Sequence, residues 1–381
     1  MLKKTDTVEM HYEHPSRSAF GWNLPALHGF LMILYCLGLL LFLDFIYSNF
    51  LYERPRSVRI ANAQYHHDLA ANFSGYDAWG SSYRLYTNSL GFKDGSARVV
   101  PLIQDAHRVL LMGDSFTEGV GVPFDETFAG LLYRAGLNSS KQVEFLNAAV
   151  LSYSPVIYYK KIKYLLERGL RFDEVVVFSD ISDVRDEATE YFCIDEDPQY
   201  NVYCPLETAS PIVVNSNRPG SLARNFMVSD RIRQTVKQAI RKWRHPTDIS
   251  NLLDFKRKGS WTIPGFELAF QPLGLEGGIA RSLRNMQKLA DLLGQHGIRL
   301  TIVVYPWPNQ LFYDDRESRQ AAIWRTFCAK NCKEFISVFP AFFDEKDTHE
   351  DWYDRLFIDG DIHFSAEGHR LMFHELAKRL L

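Results

Sequence analysis

From residue 107 onward the chain alternates short apolar runs with longer stretches of helical spacing, and that alternation leaves few ways to fold. HRVLLMGD (107–114), VEFLNAAV (143–150), DEVVVFSD (173–180), IRLTIVVYP (298–306) and FISVFPAF (335–342) read as strands buried on both faces. The spacing between and after them predicts helices over 125–137, 154–170, 279–297, 319–331 and 365–381. Asp125, Ser154 and Ser365 are the expected N-caps, and Pro155 takes a first helical position. Strands alternating with helices predict a parallel sheet with helices on both faces. Ligands of such sheets bind beyond the carboxyl ends of the strands.

One long piece interrupts the rhythm. Residues 185–275 separate the third and fourth strands and read as an insertion with its own elements. Within it, SDRIRQTVKQAIRKWRH has Ile232, Val236, Ala239, Ile240 and Trp243 at helical spacing, with Arg233, Lys237, Arg241, Lys242 and Arg244 among the remainder. The preferred reading is a helix packed on the domain with a solvated basic face. The alternative is a helix that meets anionic lipid or an anionic glycan.

The first hundred residues divide differently. No Asp, Glu, Lys or Arg occurs from Ser18 to Leu43, and LHGFLMILYCLGLLLFLDFIY is long enough to cross a hydrocarbon layer of about 30 Å as a helix. The expected organisation is a cytoplasmic tail (1–20), a transmembrane helix (21–47) and an extended linker or N-terminal extension (48–105) before the main domain. Basic residues do not set the orientation, because Lys3, Lys4 and Arg17 before the span match Arg54, Arg56 and Arg59 after it. Cysteines do favour one: Cys193/Cys204 and Cys328/Cys332 are close in sequence and read as two local disulfides, which places the main domain in an oxidising, extracytoplasmic compartment. The alternative is four thiols. With a net charge of −3, no global basic excess points to nucleic acid. No metal or cofactor motif emerges, since neither cysteine pair has metal-ligand spacing.

Two short stretches carry chemistry. VLLMGDSFTEG ends the first strand on Gly113, Asp114 and Ser115, so Ser115 stands just past a carboxyl end. A serine hydroxyl is a poor nucleophile unless a base takes its proton, and that base is most often a histidine oriented by an acid. Most of the twelve histidines have unremarkable surroundings; His363 lies in FIDGDIHFSAEGH, directly before the closing helix, with Asp359 and Asp361 four and two positions earlier. In a doubly wound sheet that loop can approach the loop holding Ser115. Trp307 and Asn309, after the fourth strand, are further candidates for the cleft, with core packing as the alternative.

GDSFTEG (113–119) and DIHFSAEGH (361–369) resemble the first and last blocks of the SGNH, or GDSL-type, hydrolases. The resemblance covers about 106–381. It implies a flavodoxin-like α/β/α fold and acyl-ester chemistry, with Ser115 as nucleophile, His363 as general base and Asp361 as the orienting acid, Asp359 being the alternative. It also implies an oxyanion hole that includes the Ser115 N–H. Ser152 and Ser182 stand where the family places a Gly and an Asn, so the hole departs from the family pattern, with Asn147 as a substitute donor. The D-x-H spacing is similar to that of envelope relatives that O-acetylate polysaccharides. The resulting expectation is a membrane-anchored, periplasmic serine esterase or O-acyltransferase. It would act without a cofactor on an acyl-ester substrate of an envelope carbohydrate or lipid, with a membrane-bound acyltransferase as a candidate partner. The alternatives are a catalytically weakened glycan-binding or assembly module, and a cytoplasm-facing thioesterase or lysophospholipase.

Overall fold

The computed structural model describes residues 24–51, 58–79, 81–194, 225–244, 259–263 and 269–381. The chain divides into two compact units, one of Met1–Arg54 with Arg218–Pro246, the other of Pro55–Asn217 with Thr247–Leu381.

The larger unit is built on an eight-stranded sheet. Its parallel part consists of β6 (Arg108–Met112), β7 (Glu144–Asn147), β8 (Glu174–Ser179), β9 (Arg299–Val304) and β10 (Glu334–Ser337) in the spatial order β7-β6-β8-β9-β10. Numbered along the chain, these five run 2-1-3-4-5, the flavodoxin-like order, with its switch point beside β6. Every residue of β6, β7 and β8 is buried, as expected of strands covered on both faces. The helices Phe128–Asn138 and Ala366–Leu380 pack on each other, and Pro155–Glu167, Asp183–Thr189 and Gly274–Gln295 form a second group, so helices cover both sides of the sheet.

The segment expected to be an extended linker is instead structured from Val58 onward. β1 (Arg59–Asn62) and β2 (His66–Leu69) form a separate hairpin. β3 (Ser74–Trp79), β4 (Ser81–Thr87) and β5 (Lys93–Asp94) continue the main sheet beyond β7 with antiparallel pairing. The sheet is therefore mixed rather than wholly parallel.

Three local expectations are corrected by neighbouring groups. The helix after β6 starts at Phe128, capped by Thr127, whose Oγ1 accepts from the Gly130 N–H at 3.0 Å, while Asp125 sits in a preceding 3-10 turn. Ser154 precedes its helix as expected, but the cap is supplied from elsewhere: Glu187 accepts from the Val156 N–H at 2.6 Å and from the Ser154 hydroxyl at 2.9 Å. The last strand ends at Ser337, and Phe339–Thr348 is helical, because Pro340 lacks the N–H a strand ladder needs and suits a first helical turn.

In the smaller unit, Leu24–Ile46 is an α-helix long and apolar enough to cross a membrane. It continues into a π-helical turn, Tyr47–Leu51, and Met227–Arg244 is a second helix of that unit.

Candidate active site

Gly113 ends β6 because nothing larger fits: a Cβ there would overlap the Thr117 side chain and press on Phe178. The chain then turns at once into a one-turn helix, Ser115–Glu118, capped by Asp114, whose carboxylate accepts from the Phe116 N–H at 3.0 Å. Gly119, at φ +76°, closes that turn in the left-handed region. Ser115 is thereby fixed as the first residue of a helix at the carboxyl end of the strand next to the switch point. Its backbone N–H is one of the donors a helix start leaves without an intrahelical acceptor.

His363 reaches this position from a short reversal before the closing helix. The Ile358 N–H donates to the His363 carbonyl at 2.8 Å, the Asp361 N–H donates to the Ile358 carbonyl at 2.9 Å, and Gly360 at φ +71° makes the bend. The reversal brings together Ser115, His363 and Asp361. Ser115 Oγ lies 2.8 Å from His363 Nε2, and His363 Nδ1 lies 2.6 Å from Asp361 Oδ1. A carboxylate only accepts, so Nδ1 carries the proton, and Nε2 is left to accept from the serine hydroxyl. Burial raises the Asp361 pKa, but the hydrogen bonds it accepts from the His363 side chain and backbone N–H and from the Trp79 indole outweigh this and hold it down at about 2. Asp359 is exposed on the other side of Gly360.

No protein-family model and no curated protein sequence matches the chain. Solved structures similar to it include the psychrotrophic esterase EstA from Pseudoalteromonas sp. (10% identity, 71% of this chain and 95% of that one, TM-score 0.38). A member of the lipolytic G-D-S-L family from Veillonella parvula aligns at 11% identity over 72% of this chain and 98% of that one, TM-score 0.37. The acetyl xylan esterase AlAXEase aligns at 13% identity over 72% and 100%, TM-score 0.40. These structural neighbours are esterases and GDSL-type lipolytic proteins. The fold assignment itself stands on the strand order of this chain.

The candidate oxyanion residues are held by other partners. Ser152 adopts φ +62°, and its carbonyl accepts from the Tyr191 hydroxyl at 2.7 Å. The Ser182 N–H donates to Asp180 Oδ1 at 2.7 Å. Asn147 donates one N–H of its side-chain amide to the Thr117 carbonyl at 2.8 Å, which braces the turn that holds Ser115. Trp307 and Asn309 are interior residues: the Trp307 indole donates to Asp180 Oδ2 at 2.6 Å and its ring stacks on Phe116 at 5.9 Å, while the Asn309 amide donates to the Gly259 carbonyl at 3.0 Å.

Two features of the site reach beyond the short motifs. Trp79, at the end of β3, donates its indole N–H to Asp361 Oδ2 at 2.8 Å and sets its ring edge-on to His363 at 4.8 Å. Behind Ser115, the buried carboxyls of Asp114, Asp180 and Asp183 share a cluster with Tyr158, Tyr305 and Trp307. Burial, reinforced by Asp180, pushes Asp114 and Asp183 well above the ordinary carboxylate range. Asp114 Oδ2 is 3.4 Å from Ser115 Oγ, so this shift acts directly beside the Ser115 hydroxyl.

Cys328 and Cys332 form a disulfide at a Cα separation of 4.6 Å. Cys193 is disulfide-bonded, and its expected partner, Cys204, lies outside the described residues.

Proposed function

We propose that the protein is an anchored serine esterase or O-acyltransferase that works through Ser115, His363 and Asp361. The observation that carries this reading is the continuous hydrogen-bonded line from Ser115 Oγ through the imidazole to Asp361, at 2.8 and 2.6 Å. In this mechanism His363 Nε2 takes the hydroxyl proton as Ser115 Oγ attacks the acyl carbonyl. The negative charge moves to the carbonyl oxygen, where the Ser115 N–H stabilises it, with the Ser152 N–H and the Ser182 hydroxyl as further donors, since the bonds above engage only the Ser152 carbonyl and the Ser182 N–H. Collapse of the tetrahedral intermediate expels the alcohol, which takes the proton from the imidazolium and leaves an acyl-Ser115 ester. Water then gives hydrolysis and a second hydroxyl gives transfer, by the same steps reversed. Asp361, held ionised, stabilises the imidazolium in both halves.

The substrate class proposed is an acyl ester of a cell-envelope glycan or lipid. The apolar helix supports anchoring, and the Cys328–Cys332 disulfide favours an extracytoplasmic, periplasm-like site for the larger unit. Intact-mass analysis with acyl-ester donors and with a fluorophosphonate tests the chemistry. Wild type should gain one adduct, and Ser115→Ala and His363→Ala should gain none. Full labelling of His363→Ala would remove that residue from the role of base, and a folded wild type that never labels would overturn the esterase reading. Reporter fusions at Leu24 and Arg59 test the topology; a cytoplasmic signal after Arg59 would reverse it.

A further inference from the structure

We propose that the helix Met227–Arg244 is a membrane-surface element that lies on the anionic lipid headgroups of the leaflet where the apolar helix Leu24–Ile46 ends. The inference rests on the anchored reading above and adds a second, lateral contact with the bilayer.

The two helices are clasped at one point. Asp44 Oδ1 accepts from the Val228 N–H at 3.0 Å and Asp44 Oδ2 from the Ser229 N–H at 2.7 Å. The Ser48 hydroxyl donates to Asp44 Oδ1 at 2.8 Å and accepts from the Met227 N–H at 2.9 Å. Asn49 donates its amide to the Asn225 carbonyl at 3.1 Å, and the Phe45 and Phe226 rings are 5.8 Å apart. Asp44 and Ser48 are both buried in this joint. They satisfy N–H groups that the start of the second helix would otherwise leave open, and the carboxylate complements the positive end of its dipole. An acid within an apolar helix is costly in hydrocarbon, so the clasp belongs at the boundary. The uncharged stretch Leu24–Leu43 is long enough, at about 1.5 Å per residue, to span about 30 Å and put Asp44 there.

The second helix has the surface that such a position requires. Val228, Ile232, Val236 and Ile240, four residues apart, form one stripe and are 41–51% exposed. Arg233 and Lys237 are exposed beside the stripe. The helix sequence holds six Lys or Arg against one acid, Asp230. A moderately wide apolar stripe flanked by cations fits an interface whose acyl region takes the stripe and whose anionic headgroups take the flanks. A soluble anionic glycan would match the charge but leave the four aliphatic residues in water.

The test uses the full chain reconstituted in vesicles of phosphatidylcholine, alone or mixed with phosphatidylglycerol, with nitroxide-labelled lipids as quenchers. A fluorophore is placed at Val236→Cys or, on the opposite side by register, at Gln234→Cys, each in a Cys36→Ser background. A third sample carries it on Cys36, which is free and exposed on the apolar helix. Shallow nitroxides should quench the Val236 probe several-fold more than the Gln234 probe, more strongly with phosphatidylglycerol and less at high salt. Equal quenching at the two positions, or none at Val236 while deep nitroxides quench Cys36, would overturn the inference and leave the anchor intact. No quenching of Cys36 would remove the anchor and the inference with it. A Val236 response to a soluble polyuronate but not to vesicles would replace lipid by glycan.

Discussion

Trp79 donates its indole N–H to Asp361 Oδ2, the carboxylate oxygen opposite the one that His363 engages, at 2.8 Å. The bond reaches from the antiparallel end of the sheet to the loop before the closing helix. It fixes the plane of the carboxylate and so the tilt of the imidazole that faces Ser115.

Trp79→Phe should keep most of the ring contact with His363 and lose the N–H. A lost hydrogen bond to a charged acceptor is worth about 1.5 kcal/mol, which corresponds to roughly tenfold in rate. The expected outcome is a kcat lower by about that factor with KM little changed, because Trp79 positions the acid and does not meet the substrate. An unchanged kcat would show that the bond is dispensable.

Asp361→Asn should lower kcat far more than Asp359→Asn. The amide can present its N–H to Nδ1 and favour the wrong tautomer, which costs on the order of 10⁴ in comparable triads. Asp359 is exposed and acts through the turn, so its variant should shift the melting temperature more than turnover. Steady-state kinetics of the two variants on one ester decides between them, and the reverse ranking would move the acid to Asp359.

Two contributions to stability should be lost in acid, while Asp114 and Asp183, whose raised values let the folded state take up protons first, act in the opposite direction. Burial draws the imidazoles of His67 and His369 down to about 3, so from about pH 6.5 downward the unfolded chain takes up protons that the folded chain refuses, and stability falls until about pH 3. Asp361 has a depressed folded value of about 2 against an ordinary 3.8, so its contribution is complete above about pH 4 and is lost as pH falls toward 2. That contribution is about 2 kcal/mol. Denaturant titrations over this range should show His369→Phe flattening the upper stage and Asp361→Asn the lower. A His369→Phe variant whose stability runs parallel to wild type between pH 6.5 and 4 would contradict the first assignment.

Gly113→Ala should destabilise the protein by about 1–3 kcal/mol, because the new methyl meets Thr117 and Phe178 in a filled interior. Adding Thr117→Ala should restore part of the loss, since it removes the nearest obstacle. Denaturant midpoints of the single and double variants measure the coupling, and strict additivity would mean that Phe178 or the backbone carries the strain.

The sequence by itself determined the five parallel strands, most of the helices, the apolar span and the positions of Ser115, His363 and Asp361. Each depends on a local rule. Continuous apolar runs mark strands buried on both faces, helical spacing marks a packed stripe, and the proposed nucleophile and base sit where a strand or turn gives way to a helix. Even in the misread segment 48–105 the signal was partly present, because Tyr83 and Leu85 alternate with more exposed neighbours along β4. Tertiary structure alone decided the rest. Trp79 meets Asp361 across 282 positions, Glu187 caps a helix that starts 32 residues before it at Pro155, and Asp44 clasps a helix 184 positions away. Burial leaves a periodic trace in the sequence because neighbouring residues share one environment. A hydrogen bond between distant segments leaves none, because its geometry exists only once the sheet has brought both ends together.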